Sequence, residues 1–300
     1  MNAVPGARMP EGVHVPHPLA HALPLFVLAG LCLSSLDATA KYLVRDHSLF
    51  VVVWARYAGQ MVVVTPWALH RGGRRFFRTN RLGLQLLRSL FLLLATLGFW
   101  GGLRYLPLAE ASSITFLAPT FVVLLSWPLL HERPTRARRI ASTVGFIGIL
   151  ILLRPGSSIL HPAVLLLIGA ALANALYQLL TRRLLDESIY ATLFYSASVG
   201  TLALSLALPF TTSLPHLLAV GIGPLVLLGL LAGVGHRCMT QAYLRASASL
   251  LSPFTYLQIL WATGFGYLLF DQHPDALSGV GMAVVVASGV GLALWERRRR

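Results

Sequence analysis

The sequence predicts an all-α integral membrane protein of ten transmembrane helices, arranged as two inverted five-helix repeats. Hydrophobic residues make up 56% of the 300 residues, mean hydropathy is +0.71, and only 11% of residues are charged. The basic residues, moreover, gather in alternate loops. A soluble domain has roughly a quarter of its residues charged. A chain of this length cannot enclose so much apolar surface in water, so lipid must be the solvent for most of it. A transmembrane β-barrel would show roughly ten-residue segments of alternating polarity. The continuous apolar runs at 90–97 and 147–153 exclude that architecture.

A spanning helix needs about 20 apolar residues. Apolar windows between polar breaks place the spans at 23–44, 49–69, 82–103, 109–130, 139–153, 162–180, 190–210, 217–243, 249–270 and 276–295. The fifth window is short, and the eighth is polar in its second half. Residues 1–22 hold Pro5, Pro10, Pro16 and Pro18 and no apolar run. They read as a disordered cytoplasmic tail rather than a signal peptide. Interleaved prolines keep His14, His17 and His21 off a common helical face, so no metal site is expected there. Cys32 and Cys238 fall within apolar runs without metal-ligand spacing and read as packing residues. No metal or cofactor is expected.

The formal charge of +14 would suggest a nucleic-acid partner in a soluble protein. Its distribution says otherwise. Arg71, Arg74, Arg75, Arg78 and Arg81 follow the second span, Arg133, Arg136, Arg138 and Arg139 the fourth, Arg182 and Arg183 the sixth, and Arg245 the eighth. With Arg8 and the basic C-terminus at 297–300, 17 of the 24 basic residues fall on one side. Loops after odd-numbered spans hold only Lys41, Arg45, Arg104 and Arg154. By the positive-inside rule the even loops and both termini are cytoplasmic. The charge is an orientation signal, and no nucleic-acid partner is expected.

A weak self-similarity recurs at an offset near 140 residues. Tyr105, Leu106, Ala109, Ala111 and Ser112 parallel Tyr243, Leu244, Ala246, Ala248 and Ser249. The stretch 127–134 (WPLLHERP) parallels 267–274 (YLLFDQHP). Each is followed by a Gly-rich span, with Gly145 and Gly148 in one half and Gly281, Gly289 and Gly291 in the other. These residues resemble the drug/metabolite transporter superfamily in its EamA-type form. The signature is an apolar span with Pro119, then Glu132, Pro134 and a small-residue-rich span, repeated downstream. The second half departs from it at Ile259, where the family often has proline, and at Gln272, where it often has glutamate. The resemblance implies repeats at 23–156 and 157–296. It also implies a cytoplasmic-membrane transporter working by alternating access around the third, fourth, eighth and ninth spans. Within the family the chain looks most like bacterial exporters of amino acids and aromatic metabolites.

Ionisable side chains within a span cost roughly 2.5–3.5 kcal/mol on insertion scales, so each needs a partner or a wet cavity. Asp37 and Lys41, four apart on the first span, can pair. They form either a structural ion pair or an outer mouth that orients a zwitterion. Arg56 and Arg88 lie near enough to span ends to snorkel. Phe99, Trp100 and Tyr105 in one half correspond approximately to His236, Arg237, Gln241 and Tyr243 in the other. Rings with a few hydrogen-bonding groups suit an amphipathic solute, although Trp and Tyr also gather at membrane interfaces. Asn174, Tyr177, Gln178 and Thr181 share one flank of the sixth span, and Tyr256 and Gln258 add polar groups in the ninth. All of these are candidate solute contacts or helix–helix hydrogen bonds. Pro119 and Pro253 remove helical hydrogen bonds and serve either as gating bends or as packing irregularities.

The expected function is export of small amphipathic metabolites, amino acids including aromatic ones. Asp37 and Glu110 are the only carboxylates within spans and away from the cytoplasmic ends, so a facilitator or exchanger is favoured over obligatory proton coupling. Proton-coupled efflux of organic cations or drugs is the alternative. An intramembrane transferase acting on lipid-linked substrates is the rival of another class. It would need an HExxH motif, a clustered acidic pair or a supported Cys–His arrangement, none of which the sequence contains. The expected partners are the lipid bilayer and a small-molecule substrate, with the chain a monomer or a homodimer through its Gly-rich spans.

Overall fold

The computed structural model describes residues 18–73, 76–131, 135–153, 161–184, 186–211, 221–245 and 251–298. Glu132, Pro134 and the tail through His17 lie outside the described residues. The first half holds α1 (Pro18–Asp46), α2 (Leu49–Gly72), α3 (Leu82–Leu103), α4 (Leu108–Thr115), α5 (Ala118–Leu130) and α6 (Arg136–Leu153). The second holds α7 (Val164–Arg182), α8 (Ile189–Thr211), α9 (Ile222–Arg245), a 3₁₀ turn (Ser252–Tyr256), α10 (Leu257–Phe270) and α11 (Ala276–Arg298). Every regular element among the described residues is therefore helical, the form that satisfies backbone groups within a single segment when no water is at hand.

Among the described residues seven stretches are long and apolar enough to cross a membrane: α1, α2, α3, α4 with α5 as Leu108–Leu129, α7, α8 and α9. Phe254–Phe270 and Ala276–Leu292 are shorter apolar helices. The sixth helix opens with Arg136, Arg138 and Arg139, which dilute its apolar run. Length and apolarity alone thus support fewer than the ten predicted crossings.

Three boundaries differ from those predicted. The first helix begins at Pro18, inside the segment assigned to the tail, because a first-turn proline sacrifices no helical hydrogen bond. Ala22 and Phe26 are buried there in a small cluster with Ala242 and Leu251. The fourth span is two helices broken at Phe116 and Leu117. Pro119 lies in the first turn of α5 rather than at a mid-helix bend. Pro253 likewise lies in the first positions of the 3₁₀ turn before α10.

The halves pack reciprocally. The first helix of each half lies against the third helix of the other, α1 on α9 and α7 on α3. Corresponding helices also meet each other, α2 with α8 and α6 with α11, and α4 packs on α10 of the other half. The aligned positions His131 and Asp271 both end their helices in the left-handed region, at φ 57° and 52°. Small residues permit the closest crossings. A Cβ at Gly148 would stand 3.0 Å from the Gly281 carbonyl oxygen, and one at Gly281 would stand 2.8 Å from that of Gly148. Gly59 and Gly229 meet backbone to backbone between α2 and α9. The glycines 148 and 281 are thus engaged within the chain, as close helix packing in lipid favours.

Polarity is distributed opposite to a water-soluble globule. Phe210, Leu206, Ile222 and Leu268 are exposed on the outside, whereas Arg56, Gln60, Gln85 and Arg88 are buried. Such an exterior matches hydrocarbon rather than water, and a polar interior marks a functional route by default.

Candidate functional site

A cavity of about 540 Å³ opens among α1, α2, α3, α7, α8 and α9, with single contributions from Thr115 of α4 and Gln258 of α10. The volume falls within the roughly 300–1,000 Å³ range of ligand pockets. The third and seventh helices supply the largest shares of its wall. Residues 88, 92, 95, 96, 99 and 100 lie along one face of α3, and 170, 174, 177, 178 and 181 along one face of α7. Both sets follow helical periodicity, so the close α3–α7 packing turns two polar stripes towards one space.

Trp100, 1% exposed, donates its indole N–H to Asp37 Oδ1 at 2.9 Å. Gln258 also faces that carboxyl. Arg56 is 7% exposed and donates from Nη1 to Thr96 Oγ1 at 2.5 Å. Its guanidinium lies 4.7 Å from the ring centre of Tyr57 and 5.6 Å from that of Trp100. Arg88, 3% exposed, donates from Nε to Thr181 Oγ1 (2.6 Å), from Nη1 to Ser196 Oγ (2.7 Å) and the Thr192 carbonyl (3.3 Å), and from Nη2 to Tyr177 Oη (2.9 Å). Neutral acceptors thus hold one guanidinium almost completely and the other only in part.

Of the residues singled out from sequence, Phe99, Trp100, Asn174, Tyr177, Gln178, His236 and Gln258 line the cavity together with Asp37. Tyr105, Gln241 and Tyr256 do not. Tyr105 is 55% exposed and stacks on His161 at 4.8 Å. The Gln241 side chain accepts from Arg245 at 2.8 Å. Tyr256 stacks on Phe116 at 4.9 Å, so the helix breaks of the two halves touch through their rings, and it fills the space over Gly289. The side chain of Tyr243 lies outside the described residues.

Two expectations need correction. Asp37 and Lys41 take different partners: Lys41 Nζ donates to the carbonyls of Leu103 (2.7 Å) and Leu106 (2.5 Å), capping the end of α3. Carbonyls at a helix C-terminus carry partial negative charge and lack helical donors, so they compete well for an ammonium. Arg56 and Arg88 do not snorkel to the membrane surface. Hydroxyls on α3, α7 and α8 meet their heads closer than bulk water does. The helical flank of α7 pointed to Tyr177 and Thr181, but nothing in the sequence tells that Arg88 lies opposite them.

A larger groove of about 870 Å³ runs between α6 and α11, walled by Arg136, Ile140, Val144, Ser288, Leu292 and Trp295. It shares no residue with the central cavity and lacks its convergence of side chains from eight helices.

The sequence profile of the EamA-like transporter family matches the chain twice, over residues 21–154 and 161–294. The chain belongs to the EamA-like transporter family. Its family places it in the drug/metabolite transporter superfamily as a multi-pass membrane transporter. This EamA protein is 27% identical over 282 residues to the S-adenosylmethionine uptake transporter of Rickettsia prowazekii, covering 91% of this chain and 92% of the relative. It is 29% identical over 294 residues to the riboflavin transporter of Vibrio cholerae, covering 94% and 96%. A riboflavin transporter of Rhizobium johnstonii is 28% identical over 280 residues, covering 91% of each chain. A solved crystal structure with 19% identity shares the fold, with a TM-score of 0.59 over 94% of this EamA protein and 99% of that chain.

Proposed function

We propose that the protein crosses the bacterial cytoplasmic membrane ten times as two inverted repeats, with both termini cytoplasmic, and carries an aromatic or heteroaromatic metabolite through the central cavity by alternating access. The single observation that carries this reading is the cavity lining. Rings of Phe99, Trp100 and Tyr177 share one space with Asp37, Arg56, Arg88, Asn174 and Gln178. Rings suit a flat solute, and polar groups placed among them orient it.

Aromatic amino acids belong to that class. So do the solutes for which relatives are named, since S-adenosylmethionine carries an adenine ring and riboflavin a fused flavin ring. The reciprocal packing of α1 with α9 and α7 with α3 supports the repeat. An odd number of helices per repeat inverts the second half, and such repeats commonly hold the solute where the halves meet. Pro119 and Pro253 mark the helix breaks at which one half would rock on the other.

Among the described residues Asp37 is the one carboxylic acid in the cavity wall, which favours a facilitator or exchanger over a proton-driven pump. The direction then follows the solute gradient: outward for a metabolite made in the cell, inward for one scavenged. Purified protein in liposomes, offered labelled tryptophan, S-adenosylmethionine and riboflavin, tests the reading. Counterflow of at least one without an imposed proton gradient is expected. Flux that appears only under a gradient overturns the facilitator mechanism, and flux of none removes the solute class.

A further inference from the structure

Resting on that transport reading, we infer that Arg56 is the contact for a carboxylate on the solute. The cavity carries an imbalance of charge. Arg56 and Arg88 both face the cavity, and among the described residues Asp37 is the only carboxylic acid there and neither guanidinium forms a carboxylate ion pair. Asp37 acts on Arg56 electrostatically without forming an ion pair with it, so two buried cations share one carboxyl, and the cost of the surplus charge is recovered when an anion arrives.

The two arginines are differently placed to receive it. Arg88 is held by Thr181, Ser196, the Thr192 carbonyl and Tyr177, leaving little of its donor capacity for a ligand. Among the described residues Arg56 makes one hydrogen bond, to Thr96, and its buried Nε has no partner. Thr96 lies eight residues beyond Arg88 on α3, or ~12 Å along the helix axis, so the two arginines are anchored at different levels of that helix. The planar fork of Arg56 is pre-oriented by the faces of Tyr57 and Trp100 and suits a carboxylate held by parallel N–H donors. Asp37 lies on the same side, joined to Trp100. It disfavours a doubly charged phosphate at Arg56 and accepts a donor group, such as an amine, beside the carboxylate. The rings of Trp100 and Phe99 then receive the rest of the solute.

Matched ligands test this on the intact protein in liposomes and in detergent. The pairs are tryptophan against tryptamine and S-adenosylmethionine against its decarboxylated form, with riboflavin and its phosphate as ligands without a carboxylate. The carboxylate member of at least one pair should be bound and transported, its partner weaker by on the order of 10- to 100-fold, the loss of a hydrogen bond to a charged group. Arg56→Gln should erase the difference within the pair, and Arg56→Lys should restore part of it. Equal transport of acid and decarboxylated partner, or preference for riboflavin or its phosphate, overturns the carboxylate contact and leaves the transport reading standing. Absence of flux for every compound overturns both. The comparison on the unaltered protein decides the matter even where Arg56→Gln fails to fold.

Discussion

The indole N–H of Trp100 meets Asp37 Oδ1 at 2.9 Å, a bond that ties α3 to α1 in the cavity wall. Trp100→Phe keeps the ring and removes the donor, leaving a buried carboxyl short of a partner. The expected loss is about 1–3 kcal/mol of stability. Thermal unfolding in detergent measures it. Adding Asp37→Asn should recover part, because the neutral amide is less costly to leave without that donor.

The Gln272 side chain accepts from the Leu108 backbone N–H at 3.0 Å, so the second half caps the first residue of α4. Gln272→Ala should cost about 0.5–2 kcal/mol, as lost caps do. Gln272→Glu should match or exceed the native stability, since a carboxylate is favoured at a helix N-terminus. A Glu variant as unstable as the Ala variant would contradict the capping role.

Sequence spacing pairs Lys41 with Asp37, whereas the structure gives Lys41 to the Leu103 and Leu106 carbonyls. A double-mutant cycle separates the two arrangements. Lys41→Met and Asp37→Asn should each destabilise, with little coupling between them. Substantial rescue in the double variant would restore the direct ion pair.

Close packing of α6 on α11 depends on the absence of a side chain at Gly148, where an added Cβ would stand 3.0 Å from the Gly281 oxygen and from two valine methyls. Gly148→Leu should therefore lower the melting temperature sharply or abolish folding, as overpacking typically costs 1–3 kcal/mol or more. Gly169→Ala on α7 meets nothing within 4 Å. It should be neutral, or stabilising by up to about 1 kcal/mol through helix propensity.

Much of this molecule was legible in its sequence because lipid imposes strict rules on hydropathy and charge. The apolar windows fall on helices, and the match of 127–134 with 267–274 emerges as the shared left-handed ends at His131 and Asp271. The polar flank of α7 was legible for the same reason: helical spacing puts Asn174, Tyr177 and Gln178 on one face whatever they meet. The partners on other helices were not legible. Spacing brings Lys41 near Asp37, but the free carbonyls at the end of α3 compete only once α1 lies beside them. Residue type likewise groups Tyr105, Gln241 and Tyr256 with the cavity, while packing gives each a different neighbour. The buried state of Arg56 and Arg88 depends on hydroxyls from helices distant in sequence.

Flux through liposomes by variants sorted according to the cavity wall shows whether the solute passes through the central cavity. Tyr177→Ala and His236→Ala remove groups that line the cavity, whereas Tyr105→Ala and Gln241→Ala alter residues outside it. With flux normalised to folded protein, the first pair should fall by about tenfold or more, equivalent to ~1.4 kcal/mol of lost interaction, and the second pair should transport as the native protein does. Undiminished flux in the first pair, with loss in the second, would place the solute path elsewhere.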